Sequence, residues 1–297
     1  MISIIVCSVN KAGRPAFAEH IRQTAGTPYE LIVVENDIDK LSICAAYNKG
    51  AAASKYPFLC FVHEDVTFHT PGWGGAFVNA LQQKSVGFLG LAGSTLKTHN
   101  PSPWWITHSN PLADKYRKVH FIQSGVPQFK SSAPMDSLQE VLCLDGFLLA
   151  CRAETWRLTC FDEKTLTDFH FYDMDICLTA HRKGFKNFVF TQCNIEHHST
   201  GSINKGWIRS AESFQKKWAA FFPISTEPVA PEELRELERL ALMDYINALI
   251  SNGYMFLPLK YLARLLTYKA TPEGSQVFKR YLKSLLHQQS GKNLKTA

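Results

Sequence analysis

Three apolar, β-branched runs, each closing abruptly on polar residues, constrain the fold more than any other feature of this chain. Residues 2–7 end at Ser8-Val9-Asn10, residues 29–34 at Glu35-Asn36-Asp37, and residues 56–62 at His63-Glu64-Asp65. Between them, residues 14–23 and 42–54 read as helices, the second alanine-rich and carrying Asn48. Strand, helix, strand, helix, strand is the pattern of a parallel, doubly wound α/β sheet. In such sheets ligands bind beyond the carboxyl ends of the strands. The three polar exits are therefore expected along one edge. No G-x-G-x-x-G follows the first strand, so the standard dinucleotide fingerprint is absent.

Further on, residues 73–83 read as a helix and 86–92 as a strand. Residues 93–139 are irregular, aromatic and proline-rich, with Trp104, Trp105, Pro127 and Pro134 among them. So long a loop is unusual in a compact domain and often functional. We expect it to be mobile without ligand and to close over a bound one, with a hairpin strand near 116–121. Residues 141–151 are strand-like, interrupted at Asp145-Gly146. Residues 171–183 read as a helix, and 185–190 as a strand that leads to His197-His198-Ser199-Thr200-Gly201. The character changes near Pro223. Helices are expected over 232–251, 257–269 and 276–286, with a frayed polar tail at 291–297. The division is thus an α/β domain over 1–222 and a helical C-terminal region over 223–297.

Composition narrows the partners. A formal charge of +6 over 297 residues suits small anions or an anionic membrane surface. No Lys/Arg block is dense enough for nucleic acid. The eight cysteines form no Cys-x-x-Cys pair, and several sit in apolar runs, as reduced core thiols of a cytoplasmic protein do. The N-terminus lacks the basic flank of a signal peptide, and no apolar stretch is long enough to span a bilayer.

The cluster His63-Glu64-Asp65 has two readings. A carboxylate at a strand end can hold a divalent ion, which in turn holds a diphosphate; acidic strand exits also occur as plain solvated loops. Asp145 lies in an apolar strand, where a lone carboxylate must be paired or face a cleft. Asp173 begins a helix after an aromatic run, as an N-cap or as something more.

Several motifs in order resolve these readings. They are Ile2-Ser3-Ile4-Ile5-Val6-Cys7-Ser8, Glu30-Leu31-Ile32-Val33-Val34-Glu35-Asn36, Ala46-Tyr47-Asn48-Lys49-Gly50, the Phe58 to Asp65 strand with Gly72-Trp73, Leu144-Asp145-Gly146-Phe147, and Tyr172-Asp173-Met174-Asp175. With them the chain, over residues 1–220, resembles the family 2 glycosyltransferases, in their streptomycin-biosynthesis-like branch. The resemblance implies a GT-A fold, a Rossmann-like, mostly parallel sheet flanked by helices. It implies a metal-dependent, inverting transferase with Mn²⁺ or Mg²⁺ and a nucleoside diphosphate sugar, UDP favoured. It implies a glycan or glycolipid acceptor in surface glycan synthesis. By the same resemblance Asp173 matches the catalytic carboxylate, with Asp145 beside donor and acceptor. Asp65, His63 and a late histidine, for which we take His198, would hold the metal. Ser8, Asn10, Glu35, Asn36, Asn48 and Glu64 would contact the nucleotide sugar. The family's metal motif usually reads Asp-x-Asp, and here His63 takes its first place; imidazole suits transition metals better than Mg²⁺. Two other readings stay open: a catalytically silent nucleotide-sugar-binding or scaffold protein, and a nucleotidyltransferase using Lys11-Ala12-Gly13-Arg14 as a weak phosphate loop. The C-terminal helices are expected to back the sheet, to form a homodimer or to touch the inner membrane face.

Overall fold

The computed structural model describes residues 1–107, 110–124, 130–131 and 138–293. Its main sheet has seven strands, in the order Leu138–Val141, Lys186–Phe190, Val86–Gly90, Leu148–Arg152, Phe58–Val62, Ile2–Ser8 and Tyr29–Glu35. Five run in one direction; Leu148–Arg152 and Leu138–Val141 run against them. The expected mixed α/β fold, with a mostly parallel central sheet and flanking helices, is what the chain adopts. Strands covered on both faces want unbroken apolar runs. Phe58–Val62 is buried at every position, and so are Ile2, Ile4, Ile5 and Val6. Helix Ile43–Ala52 lies so close on the sheet that a Cβ at Gly50 would meet Ile5 Cγ2 at 2.4 Å. Ser42 caps that helix by accepting from Ala45 N.

Register fixes the polar edge. Ser8 pairs with Glu35, and Val6 with both Val33 and Val62. The exits at 8–10, 35–37 and 63–65 therefore end level with one another. Leu148 pairs antiparallel with Val62, so Asp145-Gly146-Phe147 enters the sheet at the place where Phe58–Val62 leaves it.

A second sheet, Cys143–Leu144, Ala92–Ser94, Arg117–Gln123, Ile195–His197 and Val66–Phe68, corrects the expectation of a long mobile loop. Arg117–Gln123 pairs antiparallel with Ala92–Ser94. Lys97, Thr98, Asn100 and Ser102 are buried. Lys97 Nζ donates to Thr98 O, Asn100 O and Ser102 Oγ. Glu238, from the C-terminal helix Pro231–Ser251, accepts from the backbone N–H groups of His99 and Asn100. Buried polar groups demand such partners, so this part of the segment is a fixture rather than a lid. Pro127, Pro134 and the rest of 125–129 and 132–137 lie outside the described residues, as does the tail 294–297.

The C-terminal helices are Pro231–Ser251, Leu257–Leu265 and Pro272–Asn293. Leu242, Tyr245, Ile246 and Leu249 join the main apolar core, while Leu237 packs with Leu96, Ile106 and Tyr116. Phe256, Leu259, Leu266 and Leu282 are exposed. All eight cysteines are free. Among the described residues, no helix is long and apolar enough to cross a membrane.

Candidate active site

The site is assembled where the main sheet meets the second one. Phe58–Val62 ends at His63, whose N–H donates to Phe147 O at 2.9 Å. Ile195–His197 pairs antiparallel with Val66–Phe68, His197 opposite Val66. That pairing sets His197 beside Asp65. His197 Nε2 is 3.5 Å and His63 Nδ1 3.9 Å from Asp65 Oδ1. The three side chains offer ligand atoms within 4.8 Å of one another. His197 is buried and stacks on Phe147, centroids 4.7 Å apart at 13°.

Tyr172 fixes the tautomer of His63. Its hydroxyl donates to Gly146 O at 2.9 Å and lies 2.8 Å from His63 Nε2. A phenol has one proton. Having given it to Gly146, Tyr172 accepts from Nε2–H, which leaves the Nδ1 lone pair on the side of Asp65. Burial, then the neighbouring His197, pushes the His63 pKa down, so the ring stays neutral. Burial pushes the Asp65 carboxyl up, but hydrogen bonds from His197 and Ser199, with the two histidines close by, hold it well below the usual carboxylate range. One carboxylate and two imidazoles, one fixed as an Nδ1 donor, are a donor set suited to a first-row divalent ion.

Asp173 is the second residue of helix Tyr172–Arg182, whose N-cap is Phe171, with its carboxylate turned back on the same loop. Oδ2 accepts from Gly146 N at 2.9 Å and Oδ1 from Met174 N at 2.8 Å. Burial, and then the charge of Asp145, push its pKa up to about 7. Asp145 accepts from Trp104 Nε1 at 2.7 Å and Phe147 N at 3.1 Å, so it is paired rather than lone. Asp173, Asp145, His63, His197 and Trp104 line one cavity of about 410 Å³. Gly146 is the hinge of the arrangement, because a Cβ there would lie 2.2 Å from the Tyr172 hydroxyl. Gly146→Ala should displace Tyr172 and destabilise the fold by about 1–3 kcal/mol. Thermal unfolding would read this, and an unshifted midpoint would mean that the ring moves freely.

The sequence profile described as Glycosyltransferase like family matches residues 3–218. The chain belongs to the glycosyltransferase-like family. The solved structures similar to it include these three. GalNAc-T7, with UDP, GalNAc and Mn²⁺, has 12% identity and a TM-score of 0.49 over 96% of this chain and 55% of that one. The mannosyltransferase PcManGT from Pyrobaculum calidifontis, with GDP-Man and Mn²⁺, has 12% identity and a TM-score of 0.47 over 96% and 80%. A197 from STIV has 10% identity and a TM-score of 0.37 over 67% and 86%. The chain thus spans about half the length of the GalNAc-T7 chain, at 55%. No curated protein matches it.

Within this glycosyltransferase-like chain, the expected site residues divide into those brought together and those that are not. Ser8, Asn10 and Glu64 meet at one strand exit. Ser8 Oγ donates to Glu64 Oε2, and the N–H groups of Val9 and Asn10 donate to the same carboxylate. Glu35 joins them through Arg14, whose guanidinium donates to Ser8 Oγ and pairs with Glu35 at 3.0 Å and with Asp37. Arg14 was missed as part of this cluster; the signal was the carboxylate pair Glu35 and Asp37 at one strand exit, which calls for a cation.

Three expected residues lie apart from these two groups. His198 is exposed and bonds Thr67 Oγ1 through Nε2, so the late histidine at the cluster is His197. In a strand alternate side chains share a face; Ile195 is fully buried, and His197 follows it inward while His198 turns out. Asn36 is buried, with its amide closing on Leu41 N and Leu41 O. Asn48 bonds Phe161 N, Phe161 O and Trp156 Nε1, latching the 156–163 turn to helix Ile43–Ala52. Both amides are committed to the chain itself.

Proposed function

We propose that this chain is a metal-dependent, inverting glycosyltransferase of the GT-A type, moving a sugar from a nucleoside diphosphate sugar to an acceptor hydroxyl. The observation that carries the reading is Asp173, a carboxylate with its pKa near 7, lining the same cavity as His63 and His197. Asp65, His63 and His197 would hold Mn²⁺ in preference to Mg²⁺, because two imidazoles favour a transition metal. When bound, the ion supplies positive charge for the departing diphosphate. Asp173 takes the acceptor's proton as its oxygen bonds to the anomeric carbon. The bond from that carbon to the diphosphate oxygen breaks with its electron pair, so one displacement inverts the centre. Ser8, Asn10, Glu35 and Glu64, with Arg14, form the wall where base and ribose would lie; Glu35 offers a carboxylate for ribose hydroxyls. We keep the streptomycin-biosynthesis-like branch, a UDP-sugar, a surface glycan acceptor and a cytoplasmic site as the finer reading, on the sequence motifs. The exposed Phe256, Leu259 and Leu266 support peripheral membrane contact or a homodimer through the C-terminal helices.

The test is to incubate UDP-, GDP- and dTDP-sugars with Mn²⁺ and assay the products. Release of nucleoside diphosphate with the sugar transferred is expected. Release of pyrophosphate would make the protein a nucleotidyltransferase, and no turnover with any of the three donors would make it a binding protein. The base must be ionised to act, so the rate should rise with pH and level off above about 7, falling about tenfold per unit below. A flat profile between pH 5.5 and 8.5 would exclude Asp173 as the base.

Tyr172→Phe keeps the ring and removes the hydroxyl that holds His63 Nε2–H. Losing such an outer hydrogen bond lowers metal affinity by about 10–100-fold. Calorimetric titration with Mn²⁺ reads this without turnover. Unchanged affinity would show that His63 does not depend on Tyr172.

A further inference from the structure

A second cavity adjoins the first. Its volume is about 250 Å³, and Pro103, Trp105, Ile203 and Trp207 line both. Its far wall is one face of helix Pro231–Ser251, with Ala241, Asp244, Tyr245, Ala248 and Ser251 at spacings of three and four. This helix lies beyond residue 218, where the family profile ends, and the proposed transfer makes no use of it.

The lining says what the cavity suits. Trp207 is held between Phe171, at 5.0 Å, and Tyr245, at 6.1 Å. Trp105 meets Trp104 edge-on at 5.6 Å, and Trp104 holds Asp145. Aromatic walls thus run from this cavity to Asp145 and the cavity it shares with Asp173. The helix and its C-cap residue, Asn252, contribute amides. Asn247 Oδ1 accepts from Arg280, and its Nδ2 can still donate. Asn252 Nδ2 donates to Ile203 O and Ala248 O, and its Oδ1 can still accept. Among the described residues the lining contains no lysine or arginine, and it includes the carboxylate Asp244. A phosphate would find no cation here. Aromatic faces opposite amide donors and acceptors match a pyranose, with its apolar C–H face and its rim of hydroxyls.

We infer that this cavity is a subsite for a neutral sugar unit of the acceptor, next to the one that reacts. The inference rests on the transferase reading for its place in a reaction, but the binding itself does not. Acceptors of two sugars should therefore bind better than acceptors of one.

Ala248 is half-buried in the helical wall and outside the proposed machinery, so Ala248→Leu and Ala248→Phe fill the cavity by different amounts. The probes are methyl glycosides of glucose, galactose, mannose and N-acetylglucosamine, their disaccharides, and their octyl glycosides. Binding is read by saturation-transfer NMR and calorimetry, with and without UDP and Mn²⁺, and thermal unfolding reports whether each variant is folded. At least one disaccharide should bind tenfold or more tighter than its monosaccharide. The Leu variant should reduce that gain and the Phe variant erase it, with UDP affinity unchanged. No gain from the second sugar in the wild type would overturn the subsite, as would a gain that survives in a folded variant. An equal gain from the octyl chain on every sugar would also overturn it, by assigning the cavity to a lipid tail. A length effect that Ala248→Phe or Ala248→Leu removes, in a protein that binds none of UDP, GDP and dTDP with Mn²⁺, would retain the subsite and overturn the transferase.

Discussion

Asp173→Asn should lower turnover at saturating donor by roughly 10²-fold or more, the scale of a lost general base, while donor affinity stays within a few-fold. The amide is nearly the same size but takes no proton. It keeps one of the two backbone bonds that the carboxylate accepts, from Gly146 N and Met174 N, and sets a donor against the other. That cost is about 1 kcal/mol. It is offset by removal of a charge that the folded state disfavours. The Asp173 carboxyl is raised from 3.8 to about 7, so folding favours its protonated form. Its destabilising effect is absent below pH 3.8 and grows as pH rises to about 7. The Asn variant should lose this dependence and unfold at pH 8 no lower than the parent. Single-turnover rates and thermal unfolding across pH give both quantities. A collapse of donor affinity with turnover intact would make Asp173 a binding residue and leave Asp145 as the base.

The edge that carries this site was legible because two-face burial leaves a plain mark. Residues 56–62 are almost wholly apolar, and the first non-apolar residue after them is the first site residue, His63. Parallel pairing then forces the other exits level with it. What depends on distant partners was not legible. Asn48 looks like a ligand donor in sequence, yet its partner Phe161 is 113 residues away. The stretch around Lys97 reads as loop because its prolines and polar residues outnumber any periodic pattern. It is buried because Glu238, far along the chain, takes up two of its backbone N–H groups. That His197 rather than His198 lies beside Asp65 could have been read from the sequence. Apolar Cys193 and Ile195 set an inward phase for the short strand, and that phase continues to His197.

This phase gives the metal prediction its sharpest form. Asp65→Ala and His197→Ala should each cost more than about 100-fold in Mn²⁺ affinity, since even an outer-shell partner is worth 10–100-fold. His198→Ala should cost almost nothing, because His198 bonds Thr67 at the exposed edge. The fold should survive all three. Asp65 is only partly buried, and the strand pairing of His197 with Val66 is made by the backbone. His197→Ala does lose the ring stacked on Phe147, at a cost of about 1 kcal/mol beyond the area it covers. Affinity for UDP should rise when Mn²⁺ is added to the parent and to His198→Ala, and should not rise in the other two. Paired calorimetric titrations of UDP with and without Mn²⁺ separate these cases. If the dependence on Mn²⁺ persisted in Asp65→Ala, the carboxylate would not be a ligand. If it vanished in His198→Ala and persisted in His197→Ala, the outward histidine would turn inward on binding, and the resting strand geometry would not be the one that holds the ion.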